Sequence, residues 1–139
     1  MPLRPPASIL LSLGLPLALA GCSGAQPDAT PYRADRVPPA RVTGPAESCI
    51  PLMQFRETQV RDSRTIDFLA PGGRRGWRST LPNSCPGLTL ERAFSFNTSI
   101  SQLCQQDIIT VLQRLGPGLM PGAACGLGPF TPIELERRR

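Results

Sequence analysis

Cysteine, serine, aspartate and glutamate are the residue types in this chain that could do covalent or acid–base work. There are five cysteines and no histidine, and all fifteen basic residues are arginine, so lysine is missing too. Histidine is the commonest general base and metal ligand, and its absence removes most hydrolytic and metal-dependent designs. Ser79, Ser84, Ser95 and Ser101 would need a base beside them to become nucleophiles, and neither histidine nor lysine exists to supply one. Schiff-base chemistry falls away for the same reason. The Gly-rich stretch from Gly116 to Gly128 lacks the Lys-Ser/Thr of a phosphate loop and reads as a loop. Asp62 and Asp107 each precede a strand-like run. Paired carboxylates can hold Ca²⁺ or share acid and base roles, but aspartate at a turn more commonly caps its own backbone. No catalytic residue, metal or cofactor is expected.

Cys22 stands apart from the other cysteines. It closes Leu19-Ala20-Gly21-Cys22, after a short apolar run from Ser8 to Ala20 that Arg4 precedes. The run is too short to span a bilayer, Gly14 and Pro16 interrupt it, and small residues before Cys22 suit a cleavage site. The segment resembles the leader and lipobox of bacterial lipoproteins. That resemblance implies a signal peptide over 1–21, diacylation of Cys22 by the lipoprotein processing machinery, and a mature chain held to the membrane by lipid. Two or three acyl chains anchor firmly where one does not, since each buried methylene contributes about 0.8 kcal/mol. Ser23, which is not aspartate, implies sorting to the periplasmic face of the outer membrane. The competing reading is an ordinary cleaved signal peptide with an incidental cysteine.

In an exported chain the remaining even set, Cys49, Cys85, Cys104 and Cys125, reads as two disulfides. Their separations of 36, 19 and 21 residues include no C-x-x-C pair, which argues against zinc and against a redox-active couple. Four cysteines allow three connectivities. Chain ends of small domains often lie close together, which favours Cys49–Cys125 with Cys85–Cys104.

The formal charge of +5 invites a nucleic-acid reading, which its distribution opposes. From Glu47 to Glu136, eight arginines meet eight acids, while Arg137-Arg138-Arg139 carries three positive charges alone. A neutral domain with a basic tail does not make a nucleic-acid groove. The tail could touch anionic lipid or cell-wall carboxylates, or stand solvated. Trp77, the single tryptophan, is flanked by Arg74, Arg75 and Arg78. Trp77, Arg75 and Arg78 are the candidate ligand-binding residues, a platform on which a sugar could stack; a half-buried aromatic among solvated arginines is the plainer alternative. Asn97-Thr98-Ser99 matches the glycosylation sequon and reads as a strand end.

Positioning any of these falls to a small β domain. Residues 22–46 hold the lipidated cysteine and a Pro/Ala/Gly-rich tether with little to bury; residues 47–136 should fold, and 137–139 form the basic tail. Phe55 to Val60, Thr65 to Leu69, Trp77 to Leu81 and Phe94 to Phe96 read as strands, the second and third joined as a hairpin by Pro71-Gly72-Gly73. Residues 99–115 carry a helical stripe, but Ile108-Ile109-Thr110-Val111 is β-branched, so a strand over 108–112 is preferred to a helix. A last edge strand over 127–133 would tolerate its prolines. The expected fold is mainly β, a disulfide-stapled antiparallel barrel or sandwich with a short helix around 99–115 as the alternative for that segment.

Thr65-Ile66-Asp67-Phe68, Leu81-Pro82-Asn83-Ser84-Cys85-Pro86-Gly87-Leu88, Leu103-Cys104-Gln105-Gln106-Asp107-Ile108-Ile109-Thr110-Val111 and Cys125-Gly126-Leu127-Gly128-Pro129-Phe130 together resemble a family of small proteobacterial lipoproteins classed only as a domain of unknown function. The likeness covers about 49–133, departs at Gln106 where glycine is usual, and implies a secreted cysteine-bearing domain with no activity to carry over. The expectation is therefore a non-catalytic, lipid-anchored envelope protein that binds an envelope protein or cell-wall partner, with no nucleic acid. A small-ligand or glycan-binding β-barrel is the alternative, and an enzyme working without histidine or lysine comes third.

Overall fold

The computed structural model describes residues 37–136, so Cys22, its leader and the 137–139 tail lie outside the described residues. Ten strands dominate: β1 (Ala40–Val42), β2 (Cys49–Pro51), β3 (Glu57–Val60), β4 (Thr65–Leu69), β5 (Arg75–Thr80), β6 (Phe94–Phe96), β7 (Gln102–Cys104), β8 (Ile108–Leu115), β9 (Gly118–Gly126) and β10 (Phe130–Leu135). One helical turn, α1 (Leu88–Glu91), falls between β5 and β6 in the chain and buries Leu88. The strands form an open five-stranded sheet in the order β1-β10-β5-β4-β3, a three-stranded sheet β6-β8-β9 and a two-stranded ribbon β2-β7, every pair antiparallel. The fold is sandwich-like, and the strand order closes no barrel.

All three sheets turn one face to a shared core. Ile66 and Phe68 from β4, Ile109 and Val111 from β8, Ile50 from β2, Leu103 from β7 and Phe130 from β10 are buried together. Phe68 is its centre, meeting Phe55, Phe130 and Phe94 edge-on at centroid distances of 5.2, 5.5 and 6.4 Å, the arrangement the aromatic quadrupole favours. The Phe68–Phe94 contact joins the large sheet to the three-stranded one.

The 65–69 strand and the β4–β5 hairpin lie where the alternation placed them, with Gly72 and Gly73 at positive φ in the turn. Residues 99–115 form no helix. They supply β7, a turn through Gln105-Gln106, and β8, while a short helix, α1, lies outside this segment at Leu88–Glu91. Gly116 to Gly128, expected as a loop, is instead mostly β9. Gly116, at φ 70°, turns the chain in a two-residue connection that pairs Leu115 with Gly118. A register shift between Thr110 and Leu112 absorbs the irregular stretch around Pro121 and Gly122.

Two further expectations are corrected at the sheet's N-terminal edge. The last strand is not an edge: β10 lies between β1 and β5. Its Pro132 is tolerated because its backbone faces the β1 side just beyond Val42, where its carbonyl still accepts from Thr43 N–H at 2.9 Å. The segment expected as free tether up to 46 also docks, with Ala40, Arg41 and Val42 pairing with Leu135, Glu134 and Ile133. Glu47 and Phe130 exchange both main-chain hydrogen bonds further along. Main-chain bonding, not apolar burial, holds this strand, for Val42 remains 62% exposed.

Candidate functional site

The disulfides are Cys49–Cys104 and Cys85–Cys125, not Cys49–Cys125 and Cys85–Cys104. Cys49 and Cys104 are direct cross-strand partners in the β2–β7 ribbon, with Cα atoms 4.0 Å apart. Cys85 fastens the loop before α1 to Cys125 on β9. The two ends of the described domain do lie together, but β1 and β10 bring them there, and the cysteines follow different neighbours.

A buried polar cluster surrounds Asp67, a residue not among the expected site residues. All five residues of β4 are buried, and Asp67 points away from the Phe68 core into the opposite face. Arg78, its cross-strand partner, donates Nε to Oδ1 at 2.7 Å and Nη2 to Oδ2 at 2.9 Å. Arg61 donates Nε to Oδ2 at 2.7 Å. A buried carboxylate needs this degree of compensation, since an unpaired charge there costs several kcal/mol, about 3–5 when one partner is removed. Arg78 also donates to the Pro38 carbonyl at 3.2 Å, tying the entering chain to the same cluster. Its lone pairs committed to arginine, Asp67 organises the sheet. The signal available in the sequence was a carboxylate centred in Thr-Ile-Asp-Phe-Leu, with arginine at the cross-strand position of the following strand.

Arg78 is thereby separated from Trp77. Successive strand residues point to opposite faces, so Trp77 and Arg75 share one face of β5 and Arg78 the other. Trp77 packs half-buried against the core and donates its indole N–H to Glu47 Oε1 at 3.2 Å. Arg75 leans instead toward Glu134, at 3.7 Å. The structure does not assemble Trp77, Arg75 and Arg78 into one platform.

The other candidates also serve their own neighbourhoods. Ser79 is buried and its hydroxyl is fully used: it donates to Gly128 O at 3.0 Å and accepts from Gly128 N–H at 3.1 Å. Gly128 is close enough that a Cβ there would sit 2.0 Å from Thr80 O. Asp107 Oδ2 accepts from Cys104 N–H at 2.7 Å, closing the turn between β7 and β8. Asp62 Oδ1 accepts from Arg64 N–H at 2.7 Å, while its buried Oδ2 has no hydrogen-bond partner. Both aspartates thus act on turns of their own backbone. Thr98 of the sequon accepts from Ile100 N–H and lies 2.8 Å from Gln102 O, shaping the approach to β7. Among the described residues no group of three or more cysteine, aspartate or glutamate side chains is placed to hold a metal.

A cleft of about 270 Å³ opens beside the Ser79–Gly128 lock, lined by Thr80, Pro82, Gln105, Leu127, Gly128 and Pro129. None of the expected ligand-binding residues lines it. Exposed apolar side chains gather elsewhere, at the tip of the β8–β9 hairpin, where Leu115, Leu119 and Met120 are 59, 58 and 51% exposed. Their positions on the paired strands put apolar groups on both faces of the hairpin end.

No family model matches this chain, and neither a curated protein nor a solved structure matches it.

Proposed function

We propose that this protein is a non-catalytic, lipid-anchored module of the bacterial envelope that faces the periplasm and works by contact with another envelope component. The observation that carries the interaction reading is the β8–β9 hairpin end, where Leu115, Leu119 and Met120 stand in solvent. Apolar side chains gathered on a protruding hairpin are a binding surface in the making. Two features support the compartment. The Leu19-Ala20-Gly21-Cys22 segment resembles the lipobox of exported, acylated chains, and both cysteine pairs of the domain are disulfides, which persist in oxidising surroundings. The non-catalytic part is supported by what the polar residues do. Asp67, Ser79 and Asp107 spend their hydrogen-bonding capacity on arginines or main chain.

Radiolabelled palmitate and in-cell crosslinking test both halves. Wild-type protein should label, and Cys22→Ala should leave unlabelled precursor. Leu119→Asn with Met120→Gln should remove the crosslinked species while leaving labelling intact. Label on the Cys22→Ala protein, or crosslinks indifferent to the hairpin substitutions, would refute the corresponding half.

A further inference from the structure

The chain enters and leaves the domain at one end of the five-stranded sheet. Ala40 pairs with Leu135, Glu136 N–H donates to Pro39 O at 3.3 Å, and Leu135 N–H donates to Arg74 O at 2.8 Å. That end carries three arginines around one acid: Arg41, Arg74 and Arg75 lie 2.7, 3.5 and 3.7 Å from Glu134. One carboxylate balances one of the three. Their side chains are 72, 49 and 79% exposed, so the surplus faces solvent. Arg56, beside the β4–β5 turn, is there with two more acids, Glu57 and Glu136. Arg137, Arg138 and Arg139 follow Glu136 directly in the sequence. Elsewhere in the described domain five arginines face five acids, so the single positive charge in excess over residues 37–136 belongs to this one end.

We propose that this end of the sheet is an electrostatic docking surface for an anionic phospholipid bilayer, the same bilayer that holds acylated Cys22. The proposal rests on the lipid-anchor reading for the bilayer's proximity, and on Arg41, Arg74 and Arg75 for the contact. Fourteen residues lie between Cys22 and Val37, and extended they reach at most about 50 Å. With Cys22 acylated, the domain lies within that reach of the bilayer, and charge selects the face it turns toward it. The face beside the tether's entry is the one it presents most readily, and a surface attracts each nearby arginine with about a fivefold gain in affinity. The attraction acts within a Debye length of about 10 Å at 0.1 M salt. Docking here would leave the hairpin end with Leu119 and Met120 free for a protein partner.

The test uses the chain from residue 22 onward with Cys22→Ser, so that no acyl group contributes, and sedimentation with vesicles. Binding is expected to phosphatidylcholine vesicles containing phosphatidylglycerol, not to pure phosphatidylcholine, and should disappear between about 0.05 and 0.5 M salt. Arg74→Gln with Arg75→Gln should weaken it roughly 25-fold. Arg92→Gln with Arg114→Gln, an equal loss of charge from exposed positions elsewhere, should leave it within about twofold. No binding to anionic vesicles overturns the proposal, as do equal losses in the two double variants, or binding confined to isolated cell wall. Palmitate labelling of Cys22 in cells is read separately. An unlabelled chain that still binds vesicles through Arg74 and Arg75 would fail the anchor reading alone, and a labelled chain indifferent to these arginines would fail the docking surface alone.

Discussion

Asp67 and Arg78 stand opposite one another on β4 and β5, and Arg78 engages both carboxylate oxygens, at 2.7 and 2.9 Å. Arg61 completes the set at 2.7 Å, and Arg78 reaches on to the Pro38 carbonyl. One buried acid therefore joins the middle of the sheet to the segment entering it. Asp67→Ala should destabilise the domain by about 3–5 kcal/mol, because two largely buried guanidiniums lose their counter-charge. Denaturant unfolding measures this; a loss below about 1 kcal/mol would show that the cluster contributes no more than an exposed pair.

Non-reducing peptide mapping should recover Cys49 linked to Cys104 and Cys85 linked to Cys125, with no alkylatable thiol among them. Opening the Cys85–Cys125 link with paired serine substitutions should cost about 4 kcal/mol on the chain-entropy estimate for a separation of 40 residues. Peptides joined in any other order would contradict this architecture.

Truncation to Ala46 should be costly, although 37–45 looks like spacer. It removes β1, the Thr43–Pro132 hydrogen bond and the Pro38 acceptor of Arg78. At about 1 kcal/mol for each net hydrogen bond, a loss of about 2–4 kcal/mol is expected, lowering Tm by roughly 10 °C or more. Equal midpoints for the long and short chains would show that the edge strand adds nothing.

Ser79→Ala should cost about 1–3 kcal/mol by stranding the buried N–H and C=O of Gly128. Gly128→Ala should be worse, since its Cβ would meet Thr80 O at 2.0 Å and only backbone movement could relieve the overlap. Comparing the two by thermal unfolding separates a lost hydrogen bond from a steric block, and the reverse ranking would be inconsistent with the close approach.

Acid should loosen the β1–β10 edge. Glu134 titrates below its ordinary value of 4.5, first through the hydrogen bond from Arg41 and then through the charges of Arg75, Arg41 and Arg74, against the opposing effect of desolvation. A lowered folded-state pKa means that this stabilisation is present above about pH 4.5 and is lost as pH falls through the folded-state value. Wild type should therefore show a steeper fall in stability below about pH 4.5 than Glu134→Gln. Parallel curves for the two proteins would remove Glu134 from the linkage.

Patterns whose causes are local were legible in the residues themselves. Strict alternation placed β4 at Thr65–Leu69, Pro71-Gly72-Gly73 announced its hairpin, and the β-branched run from Ile108 to Val111 outweighed a helical stripe. The even set of four cysteines read correctly as two disulfides. Only the tertiary structure decided which cysteine met which. Cys104 lies opposite Cys49 because of a three-residue ribbon, too short for any periodicity to reveal. Gly118 to Gly126 hid β9 because glycine and proline erase alternation, and pairing with β8 supplies the order that side chains do not. Val42 stays exposed while main-chain bonds dock β1, so apolar patterning could not find that strand. Asp67 looked like one polar residue in an alternating strand. Two arginines from the neighbouring turn and strand, Arg61 and Arg78, together with the burial of β4 itself, make it a structural centre, and these meet only once the sheet has formed.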